Sequence, residues 1–505
     1  MRSLLICLGA AAMFAAAPAE GAWYEAKSRH FAIYADESPA SLEAFATKLE
    51  KFDKAVRIVR SMDDPPIGDA GRVTIYVLRN EDAVSKIAVG KSSPIAGFYI
   101  PRASGSIAFV PRKTAGNGSE WDMTPDTVFF HEYAHHLMLQ NTDAALPAWL
   151  VEGFAEFFST ADFMRDGSVH LGMPASHRAA GLFLLDKPKI EDLLTKSVGD
   201  DASGEDFERF YGRAWLLTHY LTFDQARSGQ LAKYVTEVRS GTDLLKAAQD
   251  AFGDLGQLDR ELDRYLRSNR FKYINVTSPE LNKVAASLRP LRAGEAAIMP
   301  IRIRSARGVD SKTAPEVAGQ ARAVAAQYPG DPFVQRELAE AEFDEHNYTA
   351  SEQAAERALA ADPKLAKALI YKGRAEMMLA ESNPKADWEA IRRNFLAANK
   401  LDTEDPEPLL YYYQSFWKSG ERPTANAAAG LEYALVLAPQ DRSLRMMVVS
   451  EMINANKFAE ARETLAPLAF DPHSTDSREF ARKMMGALAA KDPRAALAAL
   501  DQTEH

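Results

Sequence analysis

Cysteine is almost absent. The 505-residue chain has one, Cys7, inside an apolar N-terminal stretch. Beyond that stretch disulfides are excluded as a source of stability, and any zinc site must use histidine and carboxylate ligands. Positive charge is in deficit too, with 60 Lys and Arg against 70 Asp and Glu, a net charge of −10. Such a balance carries no basic footprint for nucleic acid. Long hydrophobic runs are also missing: after Ala19 none reaches the length that spans a bilayer.

The N-terminal stretch itself reads as a targeting segment. Arg2 supplies a minimal positive region, Leu4 to Ala17 an apolar one, and Ala17-Pro18-Ala19 a small-x-small cleavage pattern. The expectation is a signal peptide over 1–19 and a periplasmic or secreted bacterial protein. The chain is too long for one core, so two or three domains are expected.

Residues 23–115 read as mixed α/β. His30–Tyr34 and Arg72–Leu78 have strand character, and Ser38 to Arg60 has helical periodicity. Gly97–Ile100 and Ser106–Val110 flank Pro-Arg-Ala-Ser-Gly and predict a hairpin. From residue 124 helices dominate. Thr124-Pro125-Asp126 is a helix start, with an N-cap threonine, a proline at the first helical position and an acid at the positive helix end. That helix should run to Gln140 and break at Asn141-Thr142-Asp143, and Pro147 should open the next.

A linker with a short strand at Ala297–Ile303 is expected over 273–308. Beyond it Pro329, Pro363, Pro406, Pro439 and Pro472 each close an Ala-rich helical segment, at spacings of 34, 43, 33 and 33 residues. A period near 34 with Asn347-Tyr348 and Asn456-Lys457-Phe458 at turns resembles the tetratricopeptide (TPR) repeat. Residues 309–503 are therefore expected to form four to five helix pairs, with a longer loop around Ser382 to Trp388. Such an array offers a concave surface for a protein partner.

The chemistry sits at residues 131–136, His-Glu-Tyr-Ala-His-His. His131 and His135, four apart on a helix, share a face and can converge on one ion. Glu132 points roughly 100° round the helix. It is placed as a general base toward a water activated at that ion. A third ligand must come from elsewhere, and Glu152 and Glu156, also four apart, both qualify by spacing.

Trp149-Leu150-Val151-Glu152-Gly153-Phe154-Ala155-Glu156 resembles the W-L-x-E-G-x-A-E segment of gluzincins, zinc metallopeptidases of the peptidase MA clan. The resemblance covers roughly residues 23–270. It implies an α+β zincin-like domain over 23–272, one Zn²⁺ held by His131, His135 and Glu152, and Glu156 orienting a ligand histidine. It also implies a Tyr or His that stabilises the oxyanion: Tyr211 first, with His219 and Tyr220 as alternatives. It further implies that an edge strand, with Ser106–Val110 as the candidate, pairs with extended substrate. The segment between His135 and Glu152 is slightly shorter than in the aminopeptidases, and no G-x-M-E-N-like segment precedes His131. An amino-terminal specificity is therefore not implied.

The expectation is an exported zinc metallopeptidase acting on a peptide or protein substrate, followed by an all-α TPR-like solenoid. The rival from another class is a non-catalytic interaction protein whose zinc domain is inactive. Against the rival stands Glu132, which a structural zinc site would not need. His136 is read as a core residue or one that supports a ligand from behind, and His30, His170, His177, His346, His473 and His505 as structural or exposed.

Overall fold

The structure, a computed structural model, describes residues 22–91, 97–113, 121–140, 146–199, 202–470 and 475–489. The expected signal segment with Cys7, the helix break at 141–143, Pro472, His473 and His505 lie outside the described residues.

Six strands form the main sheet: β1 (Tyr24–Lys27), β2 (Phe31–Ala35), β3 (Val73–Leu78), β4 (Phe98–Ile100), β5 (Ile107–Pro111) and β9 (Ser287–Pro290), in the order β4-β5-β3-β2-β1-β9. β2, β3 and β5 run parallel; β1, β9 and β4 are antiparallel to their neighbours. A small antiparallel sheet joins β6 (Asp162–Phe163), β7 (Val169–Leu171) and β8 (Ile274–Val276).

Side chains alternate across the main sheet with the period of two that strands dictate. Phe31, Ile33, Val73, Ile75, Ala108 and Val110 face one buried cluster with α1 (Pro39–Arg60). The same cluster takes in α3 (Pro125–Gln140) and α4 (Ala148–Ser159). Tyr34, Tyr76, Leu78, Ile107 and Phe109 face the other, under α2 (Glu81–Val89) and α10 (Ala293–Arg307). The sheet is thus the middle of three layers.

Three expectations are corrected here. Ala297–Ile303 is helical, part of α10, and its Ile298-Met299-Pro300-Ile301 run mimics the alternation of a strand while Met299 and Ile303 cover the sheet. The span 273–308 is no simple linker, since β9 completes the main sheet on β1 and β8 the small sheet on β7. The candidate edge strand is also wrong. Ile107–Pro111 lies between β3 and β4, and the edge on that side is β4.

The rest of the first half is helical: α5 (Ile190–Thr195), α6 (Gly204–Phe223), α7 (Gln230–Arg239), α8 (Leu244–Phe252) and α9 (Leu255–Ser268). Helix α6 starts on a capping box between Ser203 and Asp206. It packs against α4 at Gly153, where a Cβ would stand 2.2 Å from Thr218 Oγ1 and 2.6 Å from the Ala214 carbonyl oxygen.

The second half is a stack of antiparallel helices that fits TPR-like repeats. It runs α11 (Ala314–Gln327), α12 (Pro332–Asp344), α13 (Tyr348–Ala361), α14 (Ala366–Ala380), α15 (Trp388–Leu401), α16 (Pro406–Lys418), α17 (Ala425–Leu437), α18 (Arg442–Asn454), α19 (Phe458–Leu465) and α20 (Thr475–Ala489). The pairs α12–α13, α16–α17 and α18–α19 turn alike. His346, Gly420 and Asn456 take a left-handed φ. After each, a backbone N–H reaches back to the carbonyl of Glu342, Phe416 or Met452. This closes the orphan carbonyls of the helix end. The longer loop separates α14 from α15.

The two halves interlock. Ala103, at the tip of the β4–β5 hairpin, is buried among Tyr413, Phe416 and Leu431 of the array. Its N–H donates to Asp441 at 2.6 Å. No helix among the described residues is long and apolar enough to cross a membrane.

Candidate metal centre

Helix α3 begins as its sequence predicts, with Thr124 Oγ1 accepting the Thr127 N–H at 3.1 Å. Phe129, Phe130 and Tyr133 anchor it in the core beside the sheet. Tyr133 also donates to the buried Asp53 of α1 at 2.9 Å. These contacts fix the helix rotation that turns His131 and His135 toward α4. Almost all of α4 is buried, and Gly153 lets it lie close on α6. Glu152 is thereby carried to the histidines.

Three ligand atoms meet there. His131 Nε2 and His135 Nε2 are 3.1 Å apart. Glu152 Oε2 lies 3.3 Å from the first and 3.4 Å from the second. Bonds of about 2.0–2.1 Å in a tetrahedral zinc site require ligand separations of about 3.3–3.4 Å. The triangle therefore fits one such ion, and two imidazoles with a carboxylate are a donor set zinc accepts. Among the described residues no fourth His, Cys or acid joins the group. Three protein ligands are the set that leaves a coordination position for a reactant.

Glu156 takes a different place from Glu152. Its Oε1 lies 3.1 Å from His131 Nδ1, on the ring edge away from the triangle. Its Oε2 is 2.9 Å from His177 Nε2, and Arg178 Nη2 donates to its Oε1 at 2.8 Å. Burial would raise this carboxyl, but Arg178, His177 and His131 hold it well below the usual range. It stays ionised and fixes the His131 ring through Nδ1–H. Burial would likewise lower His131, yet Glu152 and Glu156 outweigh it and lift the imidazole to about 10. The pocket favours positive charge at this ring, whether a proton or a metal.

Tyr211 of α6 stands beside the triangle, its ring centroid 5.9 Å from that of His131. The Arg178 guanidinium also lies over this ring, at 5.1 Å. Burial, then the charges of Glu152, Glu132 and Glu156, push its hydroxyl up, so it remains a proton donor. Burial and, more weakly, the charge of Glu132 push the hydroxyl of Tyr99 on β4 up as well. Tyr99 in turn meets His136 Nδ1 at 2.5 Å. Burial lowers His136 to about 3, so it is neutral.

The two alternatives to Tyr211 sit elsewhere. His219 is fully buried, with Nε2 at 3.0 Å and 2.9 Å from the carbonyls of Gly172 and Lys272 and Nδ1 at 2.9 Å from Tyr265 Oη. Tyr220 donates to Glu261 at 3.1 Å. Both hold α6 in place, and neither meets the triangle in any of these contacts. Sequence reasoning missed His177 and Arg178. They lie in a short turn with no helical period to assign them a face, and only their contact with Glu156 reveals them.

No family model matches the chain, and no curated protein matches it. Among solved structures it is similar to one described as "Functional Characterization of Pseudomonas Aeruginosa pilF", at 16% identity and a TM-score of 0.33, covering 42% of this chain and 90% of that one.

Proposed function

We propose that the chain is a zinc-dependent hydrolase of peptide bonds, with its helical array as the surface that engages a protein partner or substrate. The observation that carries this reading is the triangle of His131, His135 and Glu152 with Glu132 on the same helix. Bound zinc would act as a Lewis acid, polarising the scissile carbonyl and making water acidic enough to attack near neutral pH. Glu132 then takes the proton of the attacking water and passes it to the leaving amine. Tyr211, a protonated donor beside His131, stabilises the negative charge that develops on the carbonyl oxygen. Glu156, with Arg178 and His177 behind it, keeps the His131 ring from turning. The charged, then apolar, N-terminal segment ending in Ala17-Pro18-Ala19 suits a location outside the cytoplasm.

The second reading is a non-catalytic interaction protein, favoured by the extent of the helical stack and by its grip on the hairpin tip. One experiment separates the two. The purified chain and Glu132→Gln are assayed for bound zinc and for cleavage of a mixed peptide library. Both should bind one zinc, and the variant should lose roughly 10²–10⁴-fold in cleavage. Zinc binding with no cleavage by the native chain supports the interaction reading. Equal cleavage by both removes Glu132 from the reaction.

A further inference from the structure

A cavity of about 940 Å³ lies between the main sheet and the inner helices of the array. Tyr34 and Tyr76 of the sheet, Arg302 of α10 and residues of α12, α14 and α16 line it. Most of its charges are matched. Arg302 pairs with Glu337 at 3.2 Å, Arg336 with Glu337 and, at 3.1 Å, with Glu340. Lys367 pairs with Glu407 and lies 3.6 Å from Asp405.

Arg374 is different. Its guanidinium rests against three rings, Phe343 at 4.1 Å, Tyr371 at 4.8 Å and Tyr411 at 4.7 Å. Among the described residues it has no hydrogen-bond acceptor and no salt-bridge partner; Glu407 and Glu340 act on it only from further away. Asp344 is no full counter-charge either, because burial and the neighbouring Glu340 push its carboxyl up to about 7. Arg302, from the other half of the molecule, adds a buried Nη1 with no hydrogen-bond partner among the described residues. It lies under Tyr34 and Tyr76 at 4.5 Å and 5.8 Å.

A guanidinium carries five N–H donors in one plane. Rings on its faces hold that plane and leave its edge for an acceptor. An edge that no protein group among the described residues takes is open to an acceptor entering from the cavity that Arg374 lines. The acceptor best matched to the fork is a carboxylate, which takes two parallel N–H bonds. A dianion suits the cavity less, since Glu340 and Glu407 already act on Arg374 and repel a second negative charge.

We propose that this cavity binds a monocarboxylate ligand, with Arg374 taking the carboxylate in a bidentate pair. Its volume falls in the range of roughly 300–1,000 Å³ typical of small-ligand sites, enough for a small organic acid or the end of a peptide. The site uses no residue of the metal triangle and stands whether or not zinc chemistry occurs there.

The test is equilibrium dialysis with mass-spectrometric readout on the full chain carrying Glu132→Gln, so that peptides survive. The probes are a tetrapeptide library with free C-termini, the same library amidated, and propionate. Retention of the free acids over the amides, or saturable retention of propionate, is expected, and tells which source supplies the carboxylate. Arg374→Met keeps the length and contact area and should lower retention at least about tenfold, the loss expected for one charge-assisted pair. Unchanged zinc content and melting temperature would show that the variant is folded. Equal retention of acids and amides together with no retention of propionate overturns the proposal, as does undiminished binding by folded Arg374→Met. The first of these comparisons needs no variant.

Discussion

Two buried clusters in the first half combine histidine with carboxylates, and they behave oppositely. In one, His131, His135 and Glu152 present three ligand atoms to a common point at 3.1–3.4 Å. In the other, His30 lies 2.9 Å from Glu50 and 3.4 Å from Asp53, and its far nitrogen is 3.1 Å from Asp64. Either set has a spacing that could hold an ion. In the second, though, the acids are already engaged. Asp53 takes Arg57 at 2.9 Å through both oxygens and also the Tyr133 hydroxyl. Glu50 takes the His30 backbone N–H at 2.7 Å. The His30 cluster is an ion-pair hub that braces α3 through Tyr133, whereas the His131 cluster converges on one point. Spacing alone does not distinguish a ligand set from a brace; in the His30 set it is the donors held by Asp53 and Glu50 that identify the brace.

The comparison is broken most sharply by removing one carboxylate from each cluster. Glu152→Ala should abolish stoichiometric zinc binding in equilibrium dialysis while the protein stays folded. Asp53→Ala should keep its zinc but lose about 3–5 kcal/mol in denaturant unfolding, because Arg57 and a protonated His30 remain buried without that counter-charge. Zinc loss in Asp53→Ala with retention in Glu152→Ala would exchange the two roles. Glu156→Gln should weaken zinc by roughly 10–100-fold, as expected for a group that orients a ligand. No change in affinity would reduce Glu156 to a salt-bridge partner of Arg178. Gly153→Ala forces a methyl onto Thr218 and the Ala214 carbonyl. It should destabilise by about 1–3 kcal/mol or more, with a parallel loss of zinc affinity if the α4–α6 contact is what sets Glu152.

The smallest effect is a pH dependence of the hub. Burial opposes charge on His30, but Glu50 and Asp53 outweigh it and raise the imidazole above its ordinary 6.5. The protonated ring is thus favoured by folding. Its stabilising contribution is complete below the ordinary histidine range and is lost as pH rises through the raised folded-state value. The melting temperature of the native chain should exceed that of His30→Gln by most near pH 6, and the gap should narrow toward pH 9. A gap independent of pH would mean that His30 acts by packing alone.

Much of this was legible in the chain. The cap at Thr124, the i,i+4 histidines and the Pro147 start put His131, Glu132, His135 and Glu152 on two helices from the sequence alone. Spacing left Glu152 and Glu156 equivalent, and only the packing of α4 on α6 turns one to the Nε2 atoms and the other to Nδ1. The hairpin at Pro101–Gly105 was plain from turn chemistry, but which strand formed the edge depended on long-range pairing. Strands β1 and β9 were missed because each is four residues long and is defined by a partner rather than by its own pattern. Helix α10 was misread because Pro300 and alternating apolar residues imitate a strand locally, while burial against the sheet decides the outcome.

The closing of the main sheet has a consequence for how the chain is made. Arg289 of β9 meets Glu25 of β1 across 264 residues of sequence. Until β9 and α10 have been synthesised, β1 has an unpaired edge, and the face carrying Tyr34, Tyr76 and Phe109 lacks its cover. The nascent first half therefore waits, sticky on one side and open at one border, for a segment that arrives only after α3 and α4 are complete. A fragment cut at residue 272, which a linker at 273–308 would recommend, would be stranded in that waiting state and should aggregate rather than fold.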